Sequence, residues 1–512
     1  MTSVPNHPPR LSGNNFLALL IGLFVLTITS CDALKPAVTT TRDTDREENR
    51  RNGNDGGDLD PIQSRRVYDP TTGTYIYVRN SPTEKMDTVR WTAVPEDSNP
   101  PIVEDGTSVY IPPTNPNPTG PGGLNPVTQT GTGADNSRLL SAYNVELALP
   151  FLTDRYLGSE DAVDPNSEWA LHYYAGAQLA LDEIRTAARG NYNVTVRDTE
   201  AKTPTVQSMV TEPVFQQANL VVGPYLRDNV GVMANAVKGR ETVLVSPYSA
   251  AGGISENNPN YVQVNPTLNT HLRALLAHAY TQQRADRIVL VGTGDDAENA
   301  RLAVLQEEYL LQRGDATAQP LEVLTLDIND TNTDLSVYLR GRKTVFIVPI
   351  YRNEAFVANF LRLLYAETRD DNGLGVAVYG LPQWMDFTRI NFDYFEGTNV
   401  HVSSSVFIDQ LDPAVRDFQR DYYARYAVIP RDEAYVGYDV TRYFLRMLNE
   451  HGTRFQFALP SNPEKLLHTR FSFQPVYGVG PNGTLENAPI QRFENKYVNI
   501  LRFKDYSFRR VN

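Results

Sequence analysis

From Tyr143 onward, short continuous apolar runs alternate with longer stretches in which apolar residues recur every three or four positions. The first pattern predicts buried strands and the second amphipathic helices, so their alternation predicts parallel sheets covered by helices. Strands are expected over 143–151, 194–196, 220–224 and 242–246, with a helix carrying Trp169, Tyr173, Ala177, Ala180, Leu181 and Ile184 after the first. Five more follow Asn265-Pro266, over 287–292, 321–326, 344–349, 376–381 and 399–406. A helix over 434–448 and closing strands at 471–473 and 499–503 end the series. About ten strands over some 370 residues exceed one hydrophobic core. The expectation is therefore an α/β chain of two doubly wound lobes, the first over about 141–265 plus C-terminal returns and the second over about 266–430. The strands ending at Pro224 and Pro247 aim their loops at one crevice, where open α/β sheets collect ligands.

The N-terminal part has a different pattern. An apolar run over 16–28 follows Arg10 and closes in Leu26-Thr27-Ile28-Thr29-Ser30-Cys31, too short to span a bilayer. Cys31 is the only cysteine. The segment resembles the lipobox of bacterial lipoproteins, which implies a signal peptide over 1–30 and an acylated Cys31 on the extracytoplasmic side of a membrane. The other readings are an inert thiol after an ordinary secretory signal, or a retained membrane anchor. Residues 31–138 are rich in Thr, Asn, Asp, Pro and Gly and poor in large aliphatics, which reads as a tether. Within it, 67–77 places β-branched and aromatic residues on both sides of a turn signal, predicting a hairpin, and 86–92 continues the style. This arm reads either as a docking strand for another envelope protein or as a strand pair packed on the main domain, unless nothing there is ordered.

Composition then removes classes of function. Sixty acidic residues against 47 basic ones give a net charge of −13, which disfavours nucleic acid. With a single cysteine no intrachain disulfide is possible. The seven histidines never fall at metal-ligand spacing, and His271 and His278 stand two helical turns apart. No Gly-x-Ser-x-Gly elbow and no Walker loop is present. Gly478-Val479-Gly480-Pro481-Asn482-Gly483 satisfies the dinucleotide pattern, but Pro-Asn-Gly is a turn and no helix N-terminus follows to hold a pyrophosphate. Neither catalysis, nor a metal, nor a cofactor is expected.

Several motifs carry a resemblance. Val145-Glu146-Leu147-Ala148-Leu149-Pro150-Phe151, Ala175-Gly176-Ala177, Val222-Gly223-Pro224, Ser246-Pro247 and Tyr435-Val436-Gly437-Tyr438-Asp439 stand in the order and spacing of the type I periplasmic binding proteins. The chain resembles their branched-chain amino-acid receptors from Tyr143 to Asn512. The resemblance implies a small polar ligand held between two lobes. It also implies that lobe-one loops take the ligand carboxylate through hydroxyls and amides, while lobe two supplies an aromatic and an acidic residue for the ammonium. On this chain the lobe-one positions are Tyr225 and Arg227, then Tyr248, Ser249 and Ala250. Lobe two offers Tyr351, Gln383 and Trp384, with no carboxylate at the ammonium position although Asp386 is near. An α-amino acid is thereby in doubt. Without the resemblance, Arg227 could clamp a carboxylate or phosphate or merely pair with Asp228, and Trp384 could stack on a ligand or fill the lobe-two core.

Two functions follow. The first is a membrane-anchored solute-binding lipoprotein that captures a small polar ligand, amino-acid-like or another carboxylate, for an ABC permease or for sensing. The second keeps the fold without the ligand, as an interaction module of the cell envelope that resembles the lipoprotein activators of peptidoglycan synthases. The long tether, the aromatic arm and the departures at the ligand loops favour the second, while the usual use of such a fold, ligand capture, favours the first, which is the expectation taken forward.

Overall fold

The computed structural model describes residues 64–69, 74–79, 136–156, 164–187, 190–313, 318–327, 333–340, 342–368, 375–479 and 487–512. Cys31, the 86–92 segment and the turn at Gly480–Gly483 lie outside them. The arm forms an antiparallel hairpin of β1 (Ser64–Asp69) and β2 (Thr74–Arg79), registered Val67 to Ile76 and Tyr68 to Tyr75.

The first lobe opens with β3 (Tyr143–Leu149), α1 (Glu168–Thr186) and β4 (Tyr192–Asp198). It continues with β5 (Leu220–Val222), α2 (Arg227–Val237), β6 (Val243–Ser246) and β7 (Tyr261–Gln263). Strands β5, β6 and β7 are buried at every position, as a sheet covered on both faces requires. The chain then enters the second lobe through α3 (Leu268–Thr281), β8 (Arg287–Gly292), α4 (Asp296–Arg313), β9 (Glu322–Thr325) and β10 (Thr344–Ile347). There α5 (Glu354–Thr368), β11 (Val376–Gly380) and β12 (Val400–Ser404) follow.

The return comes earlier than the expected boundary near 430. Helix α6 (Pro413–Tyr426), capped by Asp412 with Pro413 at its first position, already packs with α1 and α7 (Asp432–His451) in the first lobe. After the small pair β13 (Glu464–Lys465) and β14 (Arg470–Phe471), strands β15 (Phe473–Tyr477) and β16 (Ile490–Asn495) join the first sheet. They pair antiparallel with each other, on either side of the segment that carries the dinucleotide pattern. The expected strand over 471–473 divides at Ser472 between two sheets. Finally β17 (Asn499–Lys504) and β18 (Ser507–Arg510) cross back to the second.

The result is two seven-stranded sheets, ordered β15-β16-β7-β6-β5-β3-β4 and β18-β17-β12-β11-β10-β8-β9. Pairing from β4 to β16 and from β9 to β12 is parallel throughout. Each sheet is lined on both faces by apolar clusters. In each, strand order reverses once, between β3 and β5 and between β8 and β10.

Candidate functional site

Reversals of strand order leave adjacent loops diverging, and ligands enter the gap at the carboxyl ends. In the first lobe Tyr225 lies on the loop leaving β5, beside the reversal, and Tyr248, Ser249 and Ala250 follow β6. Gly223 permits this course: its φ is +108°, and a Cβ there would lie 2.1 Å from the Ala148 carbonyl oxygen. Tyr225 and Tyr248 meet around Trp169 in the first turn of α1, edge to face at centroid separations of 4.9 and 5.1 Å. Tyr173, one turn on, lies 5.8 Å from Tyr248. Trp169 was legible only as an apolar helix position; its place at the start of α1, among just three tryptophans, was the available signal.

The hydroxyls of Tyr248 and Ser249 are buried, and neither has a hydrogen-bond partner among the described residues. Burial pushes the Tyr248 hydroxyl well above its usual range, and Glu433 in the first turn of α7 adds to the effect. Tyr248 is thus held as an O–H donor. Arg227 is exposed at the first position of α2 and forms no ion pair with Asp228. The helix dipole opposes a cation there, so helix stability does not account for it.

On the second lobe, Tyr351 leaves β10 beside the reversal. Arg301 of α4 and Arg352 place their guanidinium carbons 5.2 and 5.4 Å from its ring centre. Arg301 also donates through Nε to the Pro349 carbonyl at 2.9 Å. Gln383 is half-buried on the turn after β11, and Asp386 is exposed on it. Trp384 is corrected. It is completely buried in the lobe-two core, its Nε1 donates to the Ile350 carbonyl at 2.7 Å, and it occupies the space a side chain at Gly380 would need. Tyr351 packs with the cluster on the opposite face of that sheet. The structure therefore groups Tyr225 with Tyr248 and places Tyr351 between two arginines, but puts Trp384 elsewhere.

The crossings between lobes are tied by polar contacts. Glu494 accepts from the Thr267 amide at 3.1 Å, the Thr267 hydroxyl at 2.8 Å and the Thr270 hydroxyl at 2.6 Å, joining the first crossing to the last. Burial opposes its ionisation, yet Lys496 at 2.9 Å and Arg492 at 2.8 Å overcome that and hold its carboxyl well below the usual range. The middle crossing is joined through Asn499, whose amide donates to the Ser404 carbonyl at 3.2 Å. Among the described residues no group of three or more His, Cys, Asp or Glu is placed to hold a metal. His278 lies in a buried ring stack with Tyr379 and His401.

No family profile and no curated protein sequence matches the chain. Solved structures do. A putative branched-chain amino acid ABC transporter protein from Rhodospirillum rubrum gives a TM-score of 0.50 at 14% identity, over 72% of this chain and 100% of that one. A branched-chain amino acid periplasmic ligand-binding protein from Burkholderia xenovorans gives 0.45 at 14% identity over 73% and 95%. Full-length LpoA from Haemophilus influenzae gives 0.47 at 14% identity over 73% and 60%. The first likeness shows the fold: two α/β lobes of the type I periplasmic binding protein kind. Among the described residues no helix is long and apolar enough to cross a membrane.

Proposed function

We propose that this chain is a non-enzymatic, extracytoplasmic binding protein that closes its lobes on a small carboxylate-bearing ligand and is held to a membrane through acylated Cys31. Delivery would be to an ABC permease or a sensor. The observation that carries the reading is the pair of buried, unpartnered hydroxyls on Tyr248 and Ser249 at the carboxyl edge of the first sheet. A buried donor without an acceptor costs roughly 1–3 kcal/mol, which a ligand oxygen would recover. The second lobe supports the same charge preference, since Arg301 of α4 and Arg352 on the loop after β10 flank Tyr351.

A thermal-shift panel of amino acids, dicarboxylates, nucleosides and sugars tests the proposal. At a hundredfold excess over Kd a ligand stabilises by about 2.7 kcal/mol. At least one carboxylate should shift the melting temperature. Ser249→Ala and Tyr248→Phe should abolish that shift and leave the unliganded transition within a few degrees. The second reading, an envelope interaction module without a small ligand, is favoured by the packing of Trp169, Tyr225 and Tyr248, which fills this edge with the protein's own rings. A panel with no hit, repeated with co-purified material shown empty by mass spectrometry, would select it.

A further inference from the structure

The loop that carries Tyr248 and Ser249 is tied to the point where the chain leaves the first lobe. Asn265 is the second residue after β7 and the last before Pro266. It is buried, and its Nδ2 donates to the Tyr248 carbonyl at 2.7 Å, across 17 residues of sequence. Its own carbonyl accepts from Gln263 Nε2 at 3.1 Å. Its Oδ1 has no hydrogen-bond partner among the described residues. The Tyr248 carbonyl therefore sets the orientation of the side chain, since only the amide nitrogen can donate to it.

Both ends of this contact are fixed. On the loop side, the Tyr248 ring stands edge to face with Trp169 at 5.1 Å and lies 5.8 Å from Tyr173. On the crossing side, Pro266 restricts its own backbone and that of Asn265. Thr267 follows, capping α3 by accepting from the Thr270 amide and donating to Glu494 of β16 at 2.8 Å. Helix α3 then buries Leu272, Leu275 and Leu276 in the lobe-two core. A buried loop carbonyl needs a donor, and any nearby N–H would serve. Here the donor belongs to the residue that begins the crossing, so the loop cannot shift without carrying the crossing or breaking the bond.

We propose that Asn265 is a positioning residue that couples the Tyr248–Ser249 loop to the angle between the lobes. Displacement of the loop moves Asn265, Thr267 and the start of α3 together, and a change of lobe angle pulls the loop in return. The use of this coupling in ligand capture rests on the binding reading above. The coupling itself belongs to the ligand-free protein and is measured there, so an empty thermal-shift panel and a failure of this inference are separate outcomes.

The test perturbs the loop from the side away from the crossing. Trp169→Phe shrinks the ring against which Tyr248 rests and leaves residues 263–271 untouched. With Asn265 in place, it should speed hydrogen exchange of the Thr267 and His271 amides, which donate to Glu494 and to the Thr267 carbonyl, by about fivefold or more, the scale of one hydrogen bond. It should also widen the spin-label distance distribution between the exposed positions Asn235→Cys on α2 and Glu307→Cys on α4, in the full chain carrying Cys31→Ser. Asn265→Leu, of similar size without the donor, should abolish both responses to Trp169→Phe, a non-additivity that marks coupling. A merely structural Asn265 would lower stability yet leave those responses intact, and that result would overturn the proposal. If Asn265→Leu does not fold, the Trp169→Phe protein decides alone: unchanged exchange at Thr267 and His271 would overturn it. Equal acceleration at the Val348 amide, which donates to the Tyr379 carbonyl inside the lobe-two sheet, would mark general loosening and overturn it as well.

Discussion

Glu146 points away from the lobe-one core cluster formed by Val145, Leu147 and Leu149 on the same strand, and it is fully buried. Burial pushes its carboxyl up to about 7, opposed by Arg197 at 3.9 Å, while Glu212 adds to the rise. In the unfolded chain it ionises at an ordinary carboxylate pH, so between about 4.5 and 7 the folded state holds the extra proton. Stability from this group is therefore present at low pH and lost as pH rises through that window. Glu146→Gln should raise stability at pH 8 by up to about 3 kcal/mol and leave pH 4 nearly unchanged; denaturant midpoints at the two pH values measure this. Trp384 supplies a second prediction at this scale. Trp384→Phe deletes the donor to Ile350 and part of a packed ring, so it should destabilise by roughly 2–4 kcal/mol. Any ligand-induced thermal shift should survive in that variant, because the ring faces the lobe-two core. Sequence could name Trp384 as either wall or core but could not choose, since the choice depends on which face of the sheet its turn folds over.

Helices α1 and α7 cross so closely that a Cβ at Gly437 would lie 2.0 Å from the Tyr173 carbonyl oxygen, and one at Gly176 would lie 1.9 Å from that of Ala434. Neither neighbour is a flexible side chain. Gly437→Ala should force the helices apart and cost roughly 2–3 kcal/mol, although alanine is the better helix former by about 1 kcal/mol. Urea unfolding of the variant checks this, and a neutral or stabilising result would mean the crossing is looser than described. The motifs 175–177 and 435–439 that carried the family resemblance are therefore packing signals. Strand signals were equally readable where the strand is a largely apolar run, as in β5, β6, β10 and β11. They failed at β16, where Arg492 and Glu494 sit inside the sheet and are buried. Charge in a strand is tolerated only when it is compensated: here Arg492, Glu494 and, one residue past the strand, Lys496 alternate and neutralise one another, and the remaining lone pairs of Glu494 are met by Thr267 and Thr270, which are remote in sequence.

At the scale of the molecule, the lobes are joined by three crossings, and Glu494 binds two of them together. Glu494→Gln would leave Lys496 and Arg492 without their buried counter-charge and should destabilise by about 3–5 kcal/mol. In the wild type the sign is opposite to that of Glu146: the contribution is present above the ordinary carboxylate range and lost as pH falls below it. Melting temperatures of the two proteins should accordingly converge toward pH 3. The proposed anchor is tested separately. Cys31→Ser should block lipid attachment and processing, read as loss of fatty-acid labelling and of detergent-phase partitioning.

The sequence alone determined that there are two parallel α/β lobes after a polar N-terminal stretch, because most buried parallel strands read as continuous apolar runs and their covering helices as periodic ones. It also located the loops that leave β5, β6 and β10, since proline and glycine end those strands. Only the tertiary structure decided which loop residues share a site. That grouping depends on strand order, which reverses beside β3 and β8, and on the angle at which α1 delivers Trp169 and α7 delivers Glu433 to the lobe-one edge. It also depends on long-range partners: a buried hydroxyl, amide or carboxylate is tolerable when another segment satisfies it. Tyr248 and Ser249 are among the buried side chains whose oxygens have no such partner among the described residues, and they stand on the loop that leaves β6.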